Sequence, residues 1–227
     1  VQQEKMAILG QLASSVGHEL RNPLAVISNA LYLLDTSMHD PDERTRNYIQ
    51  MIRQETSRSD KIISDLLTFT RIRPGSRQPV DMEELVEKAL RRYEAPPLII
   101  VKTSMADDLQ PAYVDEGQIE QVLGNLITNA YQAMQKGGTL TIAGEDCGEE
   151  LLISVSDTGV GIRPENLMRI WEPLYTTKAK GIGLGLTVTK LLTEANGGRV
   201  QVKSKAGKGT TFSLRLPKKG GDSVGIE

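Results

Sequence analysis

The sequence predicts two domains of different class: a helical hairpin over residues 1–73 that pairs with a second copy into a four-helix bundle, then an α/β layered domain over residues 80–218. Three observations carry this. Apolar residues recur at helical spacing through the first third of the chain, a breaker-rich run follows, and beyond it capped helices alternate with β-branched runs.

Leu9, Leu12, Val16, Leu20, Leu24 (or Pro23), Ile27, Leu31 and Leu34 fall every three or four positions and form one seam on a long first helix. Ile49, Ile52, Ile63, Leu66 and Thr70 mark a second helix. Between them Asp40 is placed to cap, Pro41 suits the first helical position and Glu43 completes a capping box. Two helices cover each seam only by half, which predicts a homodimer.

The run Arg73-Pro74-Gly75-Ser76-Arg77-Gln78-Pro79 predicts a linker, residues 74–79. Asp81 then caps a helix over about 82–93, with Glu84 in the reciprocal position. Leu98-Ile99-Ile100-Val101 and Ala112-Tyr113-Val114 predict strands, and Asp115 caps a helix to about residue 135. Strands over 139–143 and 151–155 flank the polar turn Glu145-Asp146-Cys147-Gly148-Glu149. A helix over 184–195 and paired strands over 199–204 and 210–216 complete the layers, and residues 219–227 read as a loose polar tail.

The 227 residues carry a formal charge of −2, which gives no reason to expect nucleic acid or an anionic membrane surface as a partner. The single Cys147 excludes an internal disulfide and fits a reducing compartment, so a cytoplasmic location is expected. No apolar run approaches the roughly 18 residues of a membrane span, and no signal peptide is recognisable. The helical pattern begins at the first residue, as in a fragment of a longer, membrane-anchored or soluble protein.

Short motifs in the second domain carry chemistry. "DTGVGI" (157–162) sets a carboxylate at a strand end and then two glycines, an arrangement that lets backbone approach a flat ligand while the carboxylate accepts from an exocyclic amine; a plain strand-ending turn has the same look. "GIGLGL" (181–186) places glycines ahead of a helix, where free N–H groups favour phosphate. "NLITNA" (125–130) puts Asn125 and Asn129 on one helix face, amide oxygens suited either to Mg²⁺ or to capping loops. "WEPLYTTK" (171–178) reads as a flap or as loop packing.

In that order, with "GKGTTF" (207–212) last, the motifs resemble the ATP-binding domain of sensor histidine kinases, within the gyrase, Hsp90 and MutL ATPase superfamily. The resemblance implies an α/β sandwich with a mixed sheet, binding ATP and Mg²⁺. It implies Asn129 as metal ligand supported by Asn125, and Asp157 reading the adenine amine between Gly159 and Gly161. It places Gly181, Gly183, Leu184 and Gly185 at the lid and phosphates, and Thr210 near the base end. The lid spans about 175–182. Gln132 stands where many relatives carry a lysine, and Lys178 or Lys180 is positioned to substitute. Trp171 and Leu174 replace frequent phenylalanines. "NAYQAM" with "EPLYTTK" looks most like the nitrogen-regulation branch.

"HELRNP" (18–23) resembles the phosphoacceptor box of the same kinases. At about 100° per residue His18 lies nearly opposite the seam, and Asn22 sits about 40° from it on the outer face. Pro23 leaves the Glu19 carbonyl without its helical partner. A neutral imidazole has a lone pair for phosphorus, and an adjacent carboxylate takes up its proton. The resemblance implies His18 as phosphoacceptor, Glu19 as general base, Asn22 as the residue that orients water in dephosphorylation, and a response-regulator receiver domain as partner. His39 reads as a turn residue. A nucleotide-binding scaffold without turnover, and a serine kinase or ATPase of the superfamily, are the competing functions; the intact motif residues oppose the first and the histidine-bearing hairpin the second.

Overall fold

A computed structural model describes residues 2–38, 41–70, 75–178 and 181–218, with side chains at 20–38, 41–69 and throughout the two later spans. Backbone packing divides the chain into two compact units, Val1–Arg71 and Ile72–Glu227.

The first unit is the predicted hairpin, α1 (Gln2–Ser37) and α2 (Glu43–Thr70). Ion pairs Arg53–Asp35 near the turn and Arg21–Asp60 (3.6 Å) further along set the two helices antiparallel. Pro23 lies inside α1, where its missing N–H breaks one rung of the helical ladder. The start of α2 differs from expectation. Asp42 caps it: its Oδ1 accepts from the Thr45 N–H at 2.6 Å, and hydrogen bonding to Thr45 lowers its pKa. Pro41 therefore precedes the helix instead of opening it, because the capping carboxylate follows the proline. His39 and Asp40 lie outside the described residues.

Leu31, Ile49 and Ile63 are buried between the two helices, and Leu24 and Leu66 are half-buried. Other seam residues remain open: Leu20, Ile27, Leu34 and Ile52 are each at least 40% exposed. One chain covers only part of its seam. Side chains of Leu9, Leu12, Val16 and Thr70 lie outside the described residues.

The second unit is a five-stranded sheet in the order β2-β4-β5-β7-β6, with helices α3 (Met82–Arg92), α4 (Glu116–Ala133) and α5 (Gly185–Ala195) layered against it. β2 (Ile99–Met105) runs parallel to β4 (Gly138–Cys147); β5 (Glu150–Asp157), β7 (Gly209–Pro217) and β6 (Arg199–Lys205) continue antiparallel, so the sheet is mixed. Alternate residues explain the single core. Leu140 and Ile142, Leu151, Ile153 and Val155, and Phe212, Leu214 and Leu216 turn to one face and are all buried. Ile119, Val122, Leu123, Leu126, Ile127 and Ala130 of α4 meet them at helical spacing.

Both predicted caps hold: Asp81 accepts from Glu83 and Glu84 N–H, and Asp115 from Gln118 N–H. The run read as a linker, by contrast, contributes structure. Gln78–Val80 forms β1, antiparallel to β3 (Ala112–Val114). The pair has only two strands, so Pro79 costs no ladder bond on its outer side. Ser76 N–H donates to Asp115 Oδ2 at 2.9 Å, and Arg77 donates to the Ala195 carbonyl at 2.7 Å. The β4–β5 turn is shorter than expected, only Gly148-Glu149, because Glu145 to Cys147 stay paired with β5.

Candidate functional site

Three chain segments converge beside the C-terminal end of β5. Asp157 ends the strand, opposite Leu140 of β4 and Thr210 of β7. It is 9% exposed. Its Oδ1 accepts from the Gly159 N–H at 2.8 Å, a tight turn that brings the following loop against α4, where Val160 N–H donates to the Ala133 carbonyl at 3.1 Å. Burial pushes the Asp157 carboxyl above its ordinary pKa, while the N–H groups of Gly159 and Thr210 and the Lys178 ammonium pull the other way. The result is a fixed, partly dehydrated acceptor.

Gly161 adopts φ +67°, and a Cβ there would run into the Lys205 carbonyl, so this loop packs backbone to backbone on the end of β6. Ser204 ties the contact together, accepting from Ile162 N–H at 2.8 Å, bonding Thr210 Oγ1 at 2.9 Å and donating to the Gly209 carbonyl at 2.9 Å. Thr210 is 5% exposed, held below the Asp157 end of the site. Sequence reasoning missed Ser204. A lone serine in a strand carries no signal; only the strand register puts it opposite Thr210.

The second wall is α4 and the start of α5. Asn125, 2% exposed, donates from Nδ2 to the Gly185 carbonyl at 3.2 Å, so it braces the first turn of α5. α5 opens at Gly185 with Leu184 buried before it and no side-chain cap, leaving the N–H groups of its first turn to other acceptors. Gly183 accepts from Leu174 N–H at 3.1 Å, and its φ of +75° sets the backbone against Tyr175 where no Cβ fits. Gly181 is exposed, and Lys180 lies outside the described residues.

The third segment is the aromatic run. Trp171 packs edge-on to Phe212, centroids 6.1 Å apart, and its carbonyl accepts from Thr187 Oγ1 of α5. Tyr175 donates to Asn166 Oδ1 at 2.7 Å beneath the Arg169 guanidinium. Lys178 follows. Its Nζ donates to Asn129 Oδ1 and to Gln132 Oε1, both at 2.6 Å. Although the residue as a whole is exposed, crowding of the ammonium lowers its pKa to about 8, against the pull of Asp157.

The structure thus brings together Asn125, Asn129, Asp157, Gly159, Gly161, Lys178, Gly183, Leu184, Gly185 and Thr210. Amide oxygens of α4 already accept a cation there, so the donor chemistry fits a hard metal ion. Among the described residues no cluster of three or more His, Cys, Asp or Glu is present, so a metal here would draw its remaining ligands from water and a bound phosphate. In the hairpin, His18 and Glu19 lie on the α1 backbone but their side chains are outside the described residues; Asn22 is exposed.

Comparison with known proteins finds two family matches along the chain. Residues 8–75 match the His Kinase A (phospho-acceptor) domain, and residues 114–220 the histidine kinase-, DNA gyrase B- and HSP90-like ATPase. The sensor histidine kinase ZraS of Escherichia coli is 35% identical over 94% of this chain and 46% of its own length. Sporulation kinase A of Bacillus subtilis is 36% identical over 95% of this chain and 36% of its own. The chain therefore spans less than half the length of these curated relatives. Among solved structures, full-length ShkA in complex with AMPPNP aligns with TM-score 0.73 at 27% identity, covering 92% of this chain and 46% of that one. Histidine kinase ThkA in complex with the response regulator protein TrrA aligns with TM-score 0.62 at 25% identity, covering 96% and 64%.

Proposed function

The chain belongs to the sensor histidine kinases, and from that premise we propose that it is an ATP-dependent histidine kinase core that phosphorylates His18 and passes the phosphoryl group to an aspartate of a response regulator. The observation that carries this is the convergence of a partly dehydrated carboxylate, a two-asparagine helix face and an uncapped glycine-rich helix start around one site.

Each group has a task. Asp157 accepts from the adenine amine, and Gly159 and Gly161, whose Cβ positions are taken by the Ala133 and Lys205 carbonyls, let the loop beside the base fold tightly onto α4 and the end of β6. The α5 N–H groups and Lys178 take the phosphates. Asn129, on the same helix face as Asn125, would hold Mg²⁺, and the ion would supply neutralisation of phosphate charge. His18 then attacks the γ-phosphorus: an N–P bond forms, the bond to the β-γ bridging oxygen breaks with ADP leaving, and Glu19 takes the imidazole proton. Positioning supplies most of the acceleration. Asn22, exposed on the face predicted for His18, orients water when the regulator is dephosphorylated.

The open seam residues Leu20, Ile27, Leu34 and Ile52 favour a homodimer through the hairpin. A regulator partner is consistent with the ThkA–TrrA complex.

Incubation with γ-labelled ATP and Mg²⁺ tests the proposal. The expected label is acid-labile and base-stable, absent from His18→Gln and Asn129→Asp, and transferable to a receiver domain. A label that survives His18→Gln overturns it, and nucleotide binding with no label at all assigns the chain to the scaffold class.

A further inference from the structure

Nothing in the motif pattern requires Gln132 and Lys178 to meet. They do so because Asn129 and Gln132, three residues apart, share one face of α4 and both present amide oxygens to the Lys178 ammonium at 2.6 Å. The backbone beneath is held too, with Lys178 N–H donating to Thr176 Oγ1 at 3.1 Å. Two amide oxygens around an ammonium make a cation site filled by the chain's own cation.

Asn129 Oδ1 is also the atom assigned above to Mg²⁺. One amide oxygen cannot serve an ammonium and a divalent ion together at contact distance, since the two positive charges would lie within a few ångströms of each other. We infer that Lys178 is a built-in competitor of the divalent cation at Asn129, and that Gln132 is the positioning residue that keeps it there. The inference rests on the reading of Asn129 as metal ligand. It gives Gln132 a role: the positive charge comes from Lys178 on a different segment, and Gln132 tethers it. When metal takes Asn129, the ammonium keeps Gln132 as its partner and stays beside the phosphate side of the site. Because the competition is a linkage, lysine and metal weaken one another by the same factor.

The test is calorimetric titration of ADP into the whole chain, once in EDTA and once in saturating Mg²⁺, with the ratio of the two Kd values as the metal gain. In Lys178→Met and Gln132→Leu the gain is expected to rise about five- to tenfold over wild type, the low end of coupling between linked ligands. Lys178→Arg is expected to restore the wild-type gain, since the guanidinium also bridges two amide oxygens. Both replaced residues are exposed, so the variants keep the fold. ADP binding with an unchanged gain in both variants overturns the competition while leaving the nucleotide site standing. Failure of the wild-type chain to bind ADP in either buffer overturns the site reading and this inference with it.

Discussion

Two glycines where β6 passes into β7, Gly207 in the turn and Gly209 at the start of β7, offer a matched experiment. Gly207 and Gly209 both have positive φ, +75° and +104°, but a Cβ on Gly207 meets nothing within 4 Å, whereas one on Gly209 would fall far inside contact with the Asp157 carbonyl oxygen and 3.0 Å from Thr158 Cα. Gly207→Ala therefore carries only the left-handed backbone penalty of about 1–2 kcal/mol. Gly209→Ala adds a clash of backbone on backbone that no rotamer relieves, which places it among the rare substitutions costing about 4 kcal/mol or more. With a urea m-value of about 2 kcal/mol/M for a domain of this size, the midpoint falls by about 0.5–1 M in the first variant and about 2 M in the second. Emission from Trp171, which packs on Phe212 of β7, follows the transition. Because the displaced atom belongs to Asp157, ADP affinity is expected to fall in Gly209→Ala and to hold in Gly207→Ala. Equal midpoint shifts in the two would refute the steric reasoning.

Three other outcomes are expected. Burial raises the Asp157 pKa, so the native state keeps its proton longer than the unfolded chain, and stability falls as pH rises from the unfolded value of 3.8 through the folded one; Asp157→Asn removes that slope, so thermal melting at pH 7 should show a more stable protein whose Tm no longer responds to ADP. Glu120 behaves oppositely: burial resists its ionisation, but hydrogen bonds from Arg92 at 2.8 Å and Lys88 at 3.1 Å outweigh it and lower the pKa. Glu120→Gln should cost about 1 kcal/mol at pH 7, with solvent screening allowed for, and the difference should vanish in urea titrations as pH falls through the depressed folded pKa. Paired Ile27→Arg and Leu34→Arg changes on the open seam should convert a dimer to a monomer in sedimentation velocity, and an unchanged sedimentation coefficient would remove the seam from the interface.

The parts of the fold legible in the sequence are those with local causes. Asp81 and Asp115 announce their helices because a cap needs only a carboxylate two or three residues ahead of free N–H groups. Asp42 escaped the same logic because Asp40 and Pro41 offered an equally good local pattern, and only geometry separates two carboxylates two residues apart. β1 was hidden in a breaker-rich run, since its pairing with β3 depends on a partner more than thirty residues away. In the site, Asp157 and the glycines are visible as motifs, whereas Ser204 and the Gln132–Lys178 contact exist only once strand register and α4 bring distant residues together.

Cys147 sits at the far tip of β4, seven residues along the strand from Leu140, the partner of Asp157, hence about 23 Å from the site at about 3.3 Å per residue. It is exposed, and the chain holds no other thiol. A maleimide dye or nitroxide therefore attaches at one known address that leaves the nucleotide wall chemically intact. In an assembly of two chains that means one probe per protomer, so a single interprobe distance distribution, recorded with and without nucleotide, reports whether nucleotide changes the separation of the two labels without engineering any new cysteine.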